Sequence, residues 1–219
     1  MKTARIPETD HGIQGEPTVE VFDRFARNMR DQGWNNLKEL LSCGITGGSA
    51  LEIGPGPGYL GLEWLKQSPK SHVTGCEISP DMLHLAERNA AEYGFSNRAA
   101  YVLGSCLNMP FEDAIFDAVF SNGSLHEWED PVKAFHEIHR VLKPGGRFFV
   151  SDMRRDPNPL LKWGIYLTTK PKEIRPGFLT SLQAAYTEAE LKELLMQSPL
   201  HNARIVQGPF GLYFTGEKP

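Results

Sequence analysis

Glycines at 54, 56, 58 and 61, prolines at 55 and 57, and an acid on either side, Glu52 and Glu77, form the densest group of chemically useful residues in this chain. Gly56-Pro57-Gly58-Tyr59-Leu60-Gly61 has the G-x-G-x-x-G spacing of a dinucleotide loop, and Glu77 stands where a ribose acceptor would. Glu52 argues against a pyrophosphate, which a carboxylate at that strand end would repel. A ligand carrying a sulfonium and an ammonium reverses the sign: Glu52 then attracts it, directly or through water, and Glu77 still accepts the ribose hydroxyls. S-adenosylmethionine has those groups. The glycines let bare backbone approach its amino-acid end, and fixed φ at Pro55 and Pro57 stiffens the turn before binding.

Other candidates lie further along. His126, in "SNGSLHEWED", reads as a general base or polar anchor for an acceptor, or else as a histidine that caps or packs against Trp128. Asp152 ends the segment "GRFFVSD" and is similarly placed. "HEIH" at 136–139 invites a metal reading, but Ala134, Phe135, Ile138, Val141 and Leu142 define the buried face, with His136 nearly opposite and His139 at its border. Both read as solvated, and no metal is expected. Residues 154–175 hold six cations (Arg154, Arg155, Lys162, Lys170, Lys172, Arg175) against Asp156 and Glu173. That excess is either a solvated lid surface or an anion-seeking mouth for an acceptor, with Trp163 and Tyr166 as pocket wall or core.

These residues need strand ends and helix starts to hold them. "SALEIG", "HVTGCEI", "AAYVLG", "FDAVFSN" and "GRFFVSD" read as short buried strands separated by helical stretches. Ser79-Pro80 and Asp130-Pro131 each place a cap before a proline at the first helical position. The alternation predicts an α/β fold, Rossmann-like and doubly wound, with a mostly parallel sheet, helices on both faces, and ligands at the carboxyl ends of the strands. Before the first strand, apolar residues from Val21 to Leu41 recur at helical spacing, and residues 1 to about 17 read as a loose arm that orders over a neighbouring site. After the fifth strand, 153–186 show no clear alternation beyond a short helix at "NPLLKWGIYL"; Thr187 and Glu190 make a capping box, and "ARIVQGPFGLYFTGEKP" reads as two strands.

The chain of 219 residues, 40% hydrophobic, supports one domain, and a net charge of -4 makes nucleic acid a poor general partner. Cys43, Cys76 and Cys106 suggest neither a disulfide framework nor a thiolate zinc site. With no signal peptide and no apolar run of membrane-spanning length, a cytoplasmic protein is expected.

"LEIGPGPGYLG", "GCEIS", "GSCLNMPFEDAIFDAVFSNGSLHEWEDP" and "LKPGGRFF" resemble the successive motifs of the class I S-adenosylmethionine-dependent methyltransferases. The branch they resemble handles small molecules and includes quinone C-methyltransferases, and the likeness covers about residues 48–152. The resemblance implies a seven-stranded sheet with its last strand antiparallel. It also implies cofactor contacts at Glu52, Gly54, Gly56, Gly58, Glu77, Ile78, Ser105, Cys106 and Asn122, with Pro55 of the same turn counted beside them; His126 and Asp152 are the catalytic candidates on their strand-end placement. Two positions depart from the family: Ser105 stands where relatives often carry an acid for the adenine amino group, and Met29 where they often carry a tyrosine. The implied protein is a methyltransferase acting on a small-molecule acceptor, with an arm and lid helices in 1–45, a cofactor-binding domain in 46–219 and a lid insertion at about 153–186. A catalytically silent S-adenosylmethionine-binding protein, an NAD-dependent oxidoreductase and a nucleic-acid methyltransferase stay open as rivals.

Overall fold

The computed structural model describes residues 4–8, 13 and 15–219. Its strands are β1 (Ser49–Ile53), β2 (His72–Glu77), β3 (Ala99–Leu103), β4 (Phe116–Asn122), β5 (Leu142–Met153), β6 (Arg204–Gln207) and β7 (Gly211–Glu217). They form one sheet in the order β3-β2-β1-β4-β5-β7-β6. β1 to β5 pair in parallel, and β7 runs antiparallel to both β5 and β6. The five expected strands and the terminal pair are all present. β5 starts earlier than "GRFFVSD", because Leu142 already pairs with Phe116 before a register shift that accommodates the Pro144-Gly145 turn. Gly145 has φ 75°, as the third position of a type II turn requires.

Among the described residues eight helices accompany the sheet: α1 (Glu16–Asp31), α2 (Leu37–Ser42), α3 (Tyr59–Gln67), α4 (Pro80–Glu92), α5 (Pro131–Val141), α6 (Pro159–Thr168), α7 (Arg175–Ala184) and α8 (Glu188–Met196). Alternating strand residues divide between two cores. Leu51, Ile53, Val119, Phe148 and Val150 face Phe135, Ile138, Leu191 and Leu195 of α5 and α8. Their neighbours Ala50, Ala118, Phe120 and Phe149 face Leu40, Trp64, Leu65 and Ala90 of α2, α3 and α4. Period-two strands between two layers of helices bury both faces, which gives the doubly wound fold.

The caps anticipated from sequence are made. Ser79 accepts from the backbone of Met82, Asp130 from that of Lys133, and Thr187 and Glu190 close a capping box at α8. Between β5 and α8 the structure goes beyond the sequence reading. All of 159–184 is helical apart from a short connection containing a 3-10 turn at Lys172–Ile174. Leu160, Trp163 and Leu167 of α6 are 84%, 53% and 63% exposed, so its apolar residues do not trace a buried stripe.

α1 docks through a buried polar knot. Asp23, 4% exposed, accepts from the Tyr59 hydroxyl at 2.7 Å and from Arg27 at 2.8 Å, and Asn89 reaches back to the Pro57 carbonyl. The first helix is thereby tied to the residues that form the glycine turn. The arm reading falls partly on residues 1–3, 9–12 and 14, which lie outside the described residues.

Candidate active site

The strand order reverses direction on either side of β1, so its carboxyl end opens at a topological switch point. The glycine turn sits there. Gly54 has φ 59°, and a Cβ on it would lie 2.8 Å from the Ser124 Cβ; Gly58 has φ 81°, and a Cβ there would lie 2.5 Å from the Tyr101 hydroxyl. Neither position tolerates a side chain. Gly56 donates its N–H to Glu77 at 3.1 Å and Ser79 donates its own at 2.9 Å, so each carboxylate oxygen is held by backbone. Burial pushes the Glu77 carboxyl up, opposed by those N–H groups. Two oxygens with about four lone-pair sites leave capacity for ribose hydroxyls.

Glu52 lies deeper than a strand-end contact. It is 3% exposed, and Gly61 at the first turn of α3 donates its N–H to it at 3.1 Å. Burial raises its pKa to about 8, the Gly61 N–H works against that, and the Glu77 charge adds to it. Ile78 is 40% exposed beside Glu77, an apolar surface at the mouth. Pro55 is buried and its carbonyl accepts from Gly58. The Ser105 hydroxyl accepts from the Leu107 N–H at 3.2 Å. Burial pushes the Cys106 thiol up to about 12, so it stays neutral. Asn122 is already engaged: its side-chain oxygen accepts from Asn36 at 2.7 Å and from Ser151 at 2.8 Å. Asn36, held at φ 58°, is a contributor that the sequence did not announce.

Across the same edge, His126 and Asp152 meet. The ring Nδ1 is 2.9 Å from Oδ2 of Asp152, which also accepts the His126 backbone N–H at 2.7 Å. The Trp128 indole N–H donates to the Ser124 hydroxyl at 3.2 Å. Burial disfavours the imidazolium, but the Asp152 charge and hydrogen bond outweigh it, with Glu127 and Glu8 behind them, and the pKa rises to about 9. Glu127 is pushed up to about 7 by burial, with His126 lowering it and Glu8, Glu77 and Asp152 raising it.

The arm comes to this edge. Arg5 donates to the carbonyls of Ala184 and His126 and stacks over the Tyr186 ring, and the Ile6 N–H bonds Gln183. Glu8 lies 3.5 Å from Nε2 of His126. Arg5, Glu8, Glu127 and Tyr186 carried no sequence signal, because only the folded chain brings the arm to the loop after β4. In α1, Phe22 stands over the glycine turn, 3.6 Å from where a Gly56 Cβ would be.

The three arginines among the six cations of 154–175 are engaged within the chain. Arg154 pairs with Asp156, Arg155 with Glu190, and Arg175 donates to the Thr169 and Leu167 carbonyls. On α5, His136 is exposed and His139 half-buried, as its apolar face requires.

Comparison with known proteins gives this geometry its context. A family profile described as a methyltransferase domain matches residues 51–150. A demethylmenaquinone methyltransferase of Roseiflexus castenholzii is 31% identical over 174 residues, 75% of this chain and 71% of that protein. A ubiquinone/menaquinone biosynthesis C-methyltransferase of Geobacter sp. is 27% identical over 148 residues, 67% of this chain and 63% of that protein. In a relative of the same description from Cereibacter sphaeroides only 47% is covered, so the chain spans about half to two thirds of these relatives' length. Among solved structures, an S-adenosylmethionine-dependent methyltransferase of Aquifex aeolicus superposes with TM-score 0.65 at 18% identity, covering 84% of this chain and 90% of that one. A phosphoethanolamine N-methyltransferase of Haemonchus contortus with bound S-adenosylhomocysteine gives 0.61 at 17% identity, covering 80% and 49%.

The fold is a doubly wound α/β one with a glycine turn and a backbone-held acid, Glu77, at its switch point. The chain belongs to the class I S-adenosylmethionine-dependent methyltransferases, and its curated relatives include quinone C-methyltransferases. The residues present fit that cofactor. Glu77, fixed by two backbone N–H groups and without a cationic partner among the described residues, keeps lone pairs for ribose hydroxyls, whereas Glu52, its pKa raised to about 8 by burial and its oxygen taken by the Gly61 N–H, does not offer the charge expected of it from sequence.

Proposed function

We propose that this protein transfers the methyl group of S-adenosylmethionine to a small-molecule acceptor in the cytoplasm. The observation that carries the reading is the Glu77 carboxylate, fixed by two backbone N–H groups at the rim of the glycine turn and free of any cation among the described residues. Gly54, Gly56 and Gly58 would take the amino-acid end, Glu77 the ribose, and Ile78 with Ser105 and Cys106 the adenine. Asn122 contributes through the Asn36–Ser151 network, and Glu52 holds the start of α3 under the turn. The bound cofactor supplies a methyl already activated by its sulfonium. The protein therefore aligns the partners and excludes water, effects worth several kcal/mol or more.

His126 is the proton-handling group, oriented by Asp152. Its raised pKa keeps it protonated at neutral pH. Once the surrounding acids are charge-compensated, that proton is less favoured, and Nε2 can accept one from a hydroxyl or amine. The arm, α1, α6 and α7 form the cover over the acceptor. Three free cysteines and the lack, among the described residues, of any helix able to cross a membrane support the cytoplasmic setting. Because the arginines of 154–175 are paired within the chain, the acceptor's chemistry is set nearer His126 than at a cationic mouth.

Glu77→Ala should weaken S-adenosylhomocysteine binding by on the order of 10–100-fold, the loss of charge-assisted hydrogen bonds, measured by calorimetry. His126→Ala should bind it nearly as wild type does and lose turnover with any acceptor found by labelled-methyl screening. Equal affinity losses in the two variants would contradict this division of labour.

A further inference from the structure

We propose that Glu8, His126 and Glu127 form a binding site for one divalent transition-metal ion. Nε2 of His126 is 3.5 Å from a Glu8 oxygen and 3.8 Å from a Glu127 oxygen, and the three ligand atoms all lie within 4.8 Å of one another. Bonds of about 2.0–2.2 Å to zinc place neighbouring ligands a little over 3 Å apart, so small side-chain movements complete the set. One imidazole with two carboxylates suits zinc or manganese better than magnesium or copper.

The surroundings are those of a built site. The other ring nitrogen faces Asp152 at 2.9 Å, which directs the Nε2 lone pair toward the two glutamates. Asp152 is itself fixed, accepting the backbone N–H groups of His126 and Met153 at 2.7 Å each. A carboxylate behind a ligating histidine is the recurrent outer support of metal centres. His126 is buried, whereas the Glu8 and Glu127 side chains keep 23% and 32% exposure, which leaves a way in. Arg5 anchors the arm to the His126 and Ala184 carbonyls, so Glu8 is held three residues from a fixed point. No other cation than the imidazole pairs with Glu8 or Glu127 among the described residues. Three protein ligands leave a position that would take an oxygen of the acceptor; the ion would displace the Nε2 proton, and its charge, in place of Nε2 as base, would favour loss of the acceptor's proton. That last point rests on the proposed methyl transfer; metal binding does not.

The test is titration of the full chain, stripped with chelator, with zinc chloride and with manganese chloride in a calorimeter. One saturable site per chain is expected for at least one metal. Glu8→Gln and Glu127→Gln should each weaken it tenfold or more, Asp152→Asn about 10–100-fold, and His136→Gln/His139→Gln not at all. S-adenosylhomocysteine titrated into Glu8→Gln and Glu127→Gln should bind as in wild type, which separates this site from the cofactor pocket. No saturable binding, or affinity unaltered in both glutamate variants, would show a proton-linked ion cluster or adventitious surface binding and overturn the proposal.

Discussion

Glu52, buried and without a cationic partner among the described residues, keeps its proton over much of the neutral range. Between about pH 4.5 and 8 the unfolded chain releases a proton that the folded chain retains, so this residue makes stability fall as pH rises through that window. Glu52→Gln preserves an acceptor oxygen for the Gly61 N–H and removes the titration. It should raise the thermal midpoint at pH 8, with the gain shrinking to nothing near pH 4 in scanning calorimetry. An equal gain at both pH values would trace the effect to packing. The sequence placed this residue at a strand end facing the ligand, and its depth was not legible: an acid at the end of a buried strand can face ligand or helix, and here it accepts the Gly61 N–H. Glu8 was illegible for a different reason. It lies in a segment without periodicity, and its neighbour His126 is distant in the chain.

At the scale of elements, the turn between β1 and α3 is coupled to β3. The Tyr101 hydroxyl is buried with no hydrogen-bond partner among the described residues and stands in the space a Gly58 side chain would need. An unsatisfied buried hydroxyl costs about 1–3 kcal/mol, so Tyr101→Phe should stabilise the protein by roughly 1 kcal/mol in denaturant unfolding. Gly58→Ala should cost ~2–3 kcal/mol from its positive φ and the clash, and less in the Tyr101→Phe background. Strictly additive effects would show that turn and strand do not touch as described. Elements whose start is fixed by local chemistry were legible: Ser79, Asp130 and Thr187 each cap the helix expected of them. α6 and α7 were not. Their apolar residues are not sorted by face, with Leu160, Trp163 and Leu167 turned to solvent, so periodicity had no stripe to detect.

For the whole molecule, one sheet edge gathers every group discussed, but the two halves of the site are built differently. The proposed cofactor half would rest on β1, β2 and α4, contiguous elements whose strand–turn–helix grammar the sequence spells out. The proposed acceptor half would draw on the arm, the loop after β4, the end of β5 and the segment joining α7 to α8. Arg5 and Ile6 bridge those parts through bonds to His126, Gln183 and Ala184. Removing residues 1–8 therefore should leave the two halves with different fates. S-adenosylhomocysteine affinity should stay within about threefold, because Glu77 and the glycine turn keep all their backbone bonds. Turnover should fall tenfold or more, since positioning and water exclusion are the terms lost. Hydrogen exchange should quicken in α7, whose last turn the arm holds, while α4 keeps its protection. A truncated protein that lost cofactor affinity as steeply as turnover would mean that the arm supports the nucleoside pocket itself, and the division of the site into two halves would fail.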